Sequence, residues 1–153
     1  MSDERTAAPA GDLTPLPPSE LRAKVKRAQG EGGELRYALA LDEPSSASAR
    51  EASFVWLCVP GVPGCERDFR HLSPYLALSA PVVRLTLPGF GVLDDALDAP
   101  STTTERARYI ERVIRAEGWS AVHLIGHSMG GPASLLVAGR CPCLLYTSPS
   151  PRD

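Results

Sequence analysis

Three short apolar runs, each cut off by a glycine or proline turn, constrain the fold of this chain more than any other feature. FVWLCV at 54–59 runs into PGVPG, PVVRLTL at 81–87 into PGFG, and AVHLI at 121–125 into GHSMGG. Runs this short that are apolar on every side suit strands covered on both faces, as in a parallel sheet. Helical patterns lie between them. Phe69, Leu72 and Leu76 have helical spacing within 67–77, where Pro74 breaks or kinks the run. At 102–105 TTTE offers a Thr102 cap with Glu105 three residues on, Tyr109, Ile110, Val113 and Ile114 supply the apolar face, and Gly118 ends the helix. A helix of small residues starts at 131–138. Strand alternating with helix predicts an α/β fold, a mostly parallel sheet with helices on both faces and binding loops beyond the carboxyl ends of its strands.

The region before this pattern reads differently. Residues 1–33 are expected to form an N-terminal arm. Within it, 1–18 has no apolar period and predicts disorder, whereas SELRAKVKRAQ at 19–29 places Leu21, Val25 and Ala28 on one face of a short basic helix ended by 30–33. The domain proper is then 34–142, with Leu35, Tyr37, Leu39 and Leu41 on one strand face and DEPSSASARE as a polar connection.

Composition narrows the function classes. With 43% hydrophobic and 22% charged residues the chain is a soluble globular type, and a formal net charge of -2 gives no electrostatic case for nucleic acid or an anionic membrane. No stretch approaches the roughly 20 apolar residues of a membrane span, so the expected location is the cytoplasm. Cys58, Cys65, Cys141 and Cys143 are accompanied by no clustered histidines, so no metal site is expected, and Cys58 reads as a small buried hydrophobe. Residues 143–153, CLLYTSPSPRD, follow no period and back-translate to a string resembling a transposase sequencing adapter. They are expected to be an artefactual tail, with the natural sequence running on past Pro142.

The chemistry concentrates in LIGHSMGG at 124–131. A serine hydroxyl is a poor nucleophile until a base takes its proton, so it must project from rigid backbone toward that base and the substrate. A sharp strand-to-helix turn does this, and it crowds the neighbouring backbone. Gly126 and Gly130 relieve the crowding, which makes Ser128 the candidate nucleophile.

Together these residues resemble the α/β-hydrolase superfamily, closest to its lipase-like, peptidase-like and esterase-like members with a GHSMGG elbow. The resemblance covers about residues 52–142, the amino-terminal half of that fold, truncated after the nucleophile helix. VPGVPG at 59–64, with Gly61, Pro63 and Gly64, followed by CERDFRHLSPYLA, resembles the family's His-Gly-x-Pro-Gly oxyanion loop and first helix. LTLPGFG at 85–91, with Pro88, Gly89 and Gly91, resembles the turn after the next strand. The resemblance implies Ser128 as nucleophile, with the backbone N–H groups of Met129 and Val62 as the two oxyanion donors, and Gly126, His127, Gly130 and Gly131 completing the elbow motif. Pro60 stands where the family usually has His, Thr86 where Asp is common, and Leu93 near a position where a small polar residue is common.

His127 adjoins Ser128, but neighbours on a tight elbow point apart, so it is expected to pack near the oxyanion loop and not to act as base. His71 on a helix surface and His123 within a strand are expected to be structural. The resemblance puts the catalytic acid and then the histidine beyond Pro142. It implies a serine hydrolase acting on a small-molecule acyl substrate (ester, thioester or amide) through an acyl-enzyme, with no cofactor. The 153-residue chain itself is expected to be inactive. A non-catalytic ligand-binding or interaction protein is the alternative, motivated by Pro60, Thr86 and Leu93. Haloalkane and epoxide hydrolysis need a carboxylate at position 128, whereas perhydrolases and carbon–carbon bond hydrolases share the serine elbow.

Overall fold

The computed structural model of the chain describes residues 14–141. Five strands, β1 (Lys24–Gly30), β2 (Gly33–Asp42), β3 (Val55–Val59), β4 (Val82–Thr86) and β5 (Val122–Gly126), form one sheet in the order β1-β2-β4-β3-β5. β4, β3 and β5 are parallel, whereas β1–β2 and β2–β4 pair antiparallel, so the expected mostly parallel sheet is a mixed one. Those three parallel strands are the three apolar runs of the sequence.

Helices α3 (Thr103–Glu117) and α4 (Gly130–Arg140) cover one face. Ile110, Val113, Ala133 and Val137 pack there against Leu57, Val59, Val83 and Leu85 in the main core. Burying each such large side chain stabilises the fold by about 1.5–3 kcal/mol. α3 starts where the sequence predicts: the Thr102 hydroxyl accepts from the Glu105 N–H at 3.1 Å, and the Glu105 carboxylate accepts from the Thr102 N–H at 3.1 Å. It ends at Gly118, whose φ of 73° is left-handed.

The opposite face carries less cover. Cys58, Val82 and Phe69 form a second cluster there, under a 3₁₀ turn (Glu66–Phe69) and the one-turn helix α2 (Ser73–Leu76). Within 67–77, where Pro74 is expected to break or kink a helical run, the run is broken. Pro74 falls in the first turn of α2, where its lack of an N–H is harmless, so the segment splits into two short turns and Leu72 is left exposed. The polar connection at 42–51 holds one further helical turn, α1 (Ala47–Arg50), capped by the Ser46 hydroxyl.

The basic helix expected over 19–29 is not formed. From Lys24 onward this segment is β1, paired with β2 from Lys24↔Leu39 to Gly30↔Gly33 around a hairpin turn with Gly32 at φ 90° and Gly33 at φ 92°. Leu21 and Val25, the intended apolar face, are exposed at 52% and 42%, so a helix would have had nothing to bury against. The sheet supplies backbone partners instead. The end of the 1–18 stretch expected to be disordered is tied to the domain: the Leu16 N–H donates to the Tyr75 hydroxyl at 2.9 Å, and the next segment is fixed by the Ser19 N–H, which donates to the Arg70 carbonyl at 2.8 Å. The disorder expected for 1–13 and the tail expected at 143–153 lie outside the described residues. On β2 Leu35, Tyr37 and Leu39 are buried as expected, but Leu41 is exposed and the buried end residue is Asp42.

Candidate active site

β5 ends at Gly126 and α4 begins at Gly130, so strand passes to helix through only three residues. Ser128 has φ 52°, the one described non-glycine residue with positive φ. A left-handed conformation at such a residue costs roughly 1–2 kcal/mol, so the surrounding backbone must impose it. Two short bonds do so: the Gly130 N–H donates to the His127 carbonyl at 2.8 Å and the Gly131 N–H to the Ser128 carbonyl at 2.9 Å. The turn admits no side chain at its base. A Cβ on Gly126 would lie 2.5 Å from the Gly130 carbonyl oxygen, and one on Gly130 would strike the Val59 carbonyl oxygen and come within 2.6 Å of that of Pro60.

The segment 60–65 leaves the end of β3 alongside this turn. The His127 N–H donates to the Val59 carbonyl at 3.0 Å, and a Cβ on Gly61 would stand 3.0 Å from the Ser128 Cβ and 3.5 Å from His127 Nδ1. Gly61 is thus the point where the two loops touch. His127 lies beside that loop and is exposed. Val62 is half-buried against the main core, Pro63 is exposed and joined to it by a cis peptide bond, and Gly64 is tight against Asp68 and the Gly61 carbonyl. The backbone N–H groups of Val62 and Met129 have no hydrogen-bond partner among the described residues. Ser128 and Met129 are exposed, and none of the hydrogen bonds among the described residues involves the Ser128 hydroxyl.

The third loop, after β4, meets the 60–65 segment at Cys65. Pro88 is buried, and Gly89 (φ 95°) and Gly91 (φ 53°) take conformations that favour glycine. A Cβ on Gly91 would sit 3.2 Å from Thr86 Cγ2 and 3.3 Å from Cys65 Cβ. Leu93 is buried with Ala23 and Ala38, so this apolar departure from the family pattern serves as a packing peg against the first two strands.

The sequence reading did not find the buried polar group behind this loop. Arg84 is wholly buried in β4. Its Nε donates to Asp42 Oδ2 at 2.7 Å, its Nη1 to the Glu66 carbonyl at 3.1 Å and its Nη2 to the Leu21 carbonyl at 2.9 Å. Glu66 is equally buried and accepts from the Thr86 hydroxyl at 2.7 Å, the Ala23 N–H at 3.1 Å and Arg22 Nε at 3.2 Å. Burial alone would raise the Glu66 pKa, but these donors outweigh it and hold the carboxyl down at about 2. The available signal was an arginine inside the otherwise apolar VVRLTL. Burial also pushes the Cys58 thiol up to about 12, which agrees with its reading as a small core residue. His71 is exposed, and His123 stacks on Phe54 with ring centroids 4.0 Å apart on the face away from α3. Among the described residues no cluster of His, Cys, Asp and Glu could hold a metal ion, and no helix is long and apolar enough to cross a membrane.

A strand, a strained serine turn, a helix and a glycine loop alongside them define the hydrolase type of α/β protein. The family model described as "Alpha/beta hydrolase family" matches residues 56–153, and the chain belongs to that family. A 2-hydroxy-6-oxononadienedioate/2-hydroxy-6-oxononatrienedioate hydrolase of Escherichia coli K12 is 29% identical over 83 residues, covering 54% of this chain and 29% of that protein. The chain therefore spans less than a third of the curated relatives it matches. Among solved structures, an alpha/beta hydrolase from Novosphingobium aromaticivorans aligns over 84% of this chain and 45% of its own, at 22% identity and a TM-score of 0.58. An AqdC variant described as cleaving the ring of the Pseudomonas quinolone signal aligns over 84% and 48%, at 22% identity and a TM-score of 0.65. Both likenesses speak to the fold.

Proposed function

We propose that this chain carries the nucleophile and oxyanion half of a serine hydrolase. The observation that supports the reading best is Ser128 itself, exposed at φ 52° on a turn whose base tolerates only glycine. That conformation is costly and has no packing role, since the side chain is at the surface. It does present the hydroxyl to a substrate. In this reading the Ser128 Oγ attacks a carbonyl carbon, and the Val62 and Met129 N–H groups stabilise the resulting alkoxide. Collapse expels the leaving group and leaves an acyl-enzyme, which water then releases. Two donors that have no partner among the described residues can meet the alkoxide without first giving up other bonds there.

The substrate is a small carbonyl compound: an ester, thioester or amide, or an oxo acid of the kind named in the curated relatives. Acid and base belong to residues beyond those described, in the order Ser, acid, His. On this reading the 153-residue chain alone does not turn over substrate. Leu135 on α4, exposed at 63%, and the outer edge of β5, unpaired among the described residues, support further sheet and helix covering this side. A cytoplasmic location is part of the same proposal.

A fluorophosphonate applied to the complete polypeptide of the gene tests it. The expected result is one adduct on Ser128, absent in Ser128→Ala. Folded protein that leaves Ser128 unmodified overturns the reading in favour of a non-catalytic binding protein.

A further inference from the structure

On the serine-hydrolase reading the segment 60–65 must hold the Val62 N–H near Ser128, yet it is rich in glycine and proline. At its start it is secured by the Val59 carbonyl, which accepts from His127. At its end is Glu66, and three different parts of that one residue are bonded to β4: its carboxylate accepts from the Thr86 hydroxyl at 2.7 Å, its N–H donates to Thr86 Oγ1 at 3.4 Å, and its carbonyl accepts from Arg84 Nη1 at 3.1 Å. The carboxylate reaches further, to the Ala23 N–H and Arg22 of the N-terminal segment. Thr86 also lies 3.2 Å from where a Cβ on Gly91 would be, so the same residue touches the third loop of the site.

We propose that Glu66 and Thr86 act as positioning residues for the oxyanion loop, doing through a buried carboxylate–hydroxyl pair what a side chain at Pro60 cannot do here. The proposal rests on the serine-hydrolase reading for its catalytic consequence, though not for its mechanical one. A buried carboxylate with all its partners satisfied is rigid, and breaking one partner leaves an uncompensated charge, so the pair resists small displacements of the loop end. The alkoxide donor moves with that loop. Because the alkoxide exists only after attack, loosening the loop lowers kcat and leaves KM nearly unchanged. Displacement of a reacting group by an ångström can cost on the order of a hundredfold in rate.

The test compares Thr86→Val, which keeps the shape and removes the hydroxyl, with Thr86→Ser, which restores it, in the complete polypeptide. Hydrolysis of p-nitrophenyl butyrate is measured per phosphonate-titrated site, and amide exchange is followed over 60–66. The expected result is faster exchange in Thr86→Val confined to that segment, a kcat lowered roughly tenfold to a hundredfold with KM within about twofold, and both restored in Thr86→Ser. Unchanged exchange and unchanged kcat in Thr86→Val overturn the proposal, as does a loss that Thr86→Ser fails to restore. Should Thr86→Val not fold, Glu66→Gln is read by the same criteria, the exchange again expected to rise over 60–66. If wild type and Ser128→Ala hydrolyse the ester equally, it is the serine-hydrolase reading that has failed. The exchange arm then still decides whether Glu66 and Thr86 hold the loop.

Discussion

The backbone N–H of His127 donates to the carbonyl of Val59 at 3.0 Å, which ties the residue before the elbow serine to the residue before the 60–65 loop. Nucleophile and loop therefore share one anchor at the carboxyl ends of two adjacent parallel strands, β3 and β5. A Cβ on Gly130 would press into that same anchor, against the Val59 and Pro60 carbonyls. Both obstacles are backbone and cannot swing aside. Gly130→Ala is expected to destabilise the protein by about 1–3 kcal/mol and to reduce phosphonate labelling of Ser128 in whatever folded fraction remains. Gly131→Ala, where a Cβ meets nothing within 4 Å, serves as the control, with stability within about 0.5 kcal/mol of wild type. Urea midpoints read both.

The strain at Ser128 gives a prediction of opposite sign. Glycine carries no penalty at φ 52°, so Ser128→Gly is expected to raise stability by roughly 1 kcal/mol while removing the nucleophile. Ser128→Ala retains the Cβ and hence the strain, and should melt with the wild type. Equal melting temperatures for all three proteins would show that the left-handed conformation stores nothing.

The sequence made the three parallel strands, the capping box at Thr102 and Glu105, and the elbow legible, because each is written in local chemistry: unbroken apolar runs, a capping pair, glycines flanking a serine. The segment 19–29 was misread for an equally physical reason. Its Leu21, Val25 and Ala28 fit a helical face, but the helix has nothing to pack on, and β2, paired with it from Lys24↔Leu39 to Gly30↔Gly33, claims its backbone. The Arg84–Asp42 and Glu66–Thr86 bonds join residues far apart in sequence; the register of β2 on β4 brings the first pair together, and the turn at Glu66–Phe69 crossing the end of β4 the second. No local pattern announces such a pair.

Charge pairs in this protein should differ sharply in worth. Arg84 and Asp42 are held at 2.7 Å with the guanidinium wholly buried, whereas Arg27 and Glu34 meet at 2.6 Å on the surface with both side chains about half exposed or more. Removing one partner of a buried pair typically costs about 3–5 kcal/mol, and of an exposed one about 0–1 kcal/mol. Arg84→Met is accordingly expected to lose most of the protein's stability, and Arg27→Met almost none, although the two distances are nearly equal. Denaturant unfolding of the two variants side by side decides it. Similar losses in both would mean that Arg84 is compensated by its apolar stem alone.

Acid should unfold the protein through Glu66. Burial alone would raise its pKa, but the Thr86 hydroxyl, the Ala23 N–H and Arg22 bring it to about 2, below an ordinary value of 4.5. A carboxyl depressed in the folded state binds protons more readily once unfolded, so its contribution is fully present above pH 4.5 and is lost as the pH falls toward 2. Glu66→Gln cannot titrate. It should be less stable than wild type at neutral pH, where the charged hydrogen bonds are missing, and its stability should fall less steeply between pH 4.5 and 2, so that the gap between the two proteins narrows across that window. Denaturant titrations at a series of pH values measure the gap directly. A gap that stays constant would show that the carboxylate is not held in its charged form by these partners, and the rigidity ascribed to the Glu66–Thr86 pair would lose its electrostatic basis.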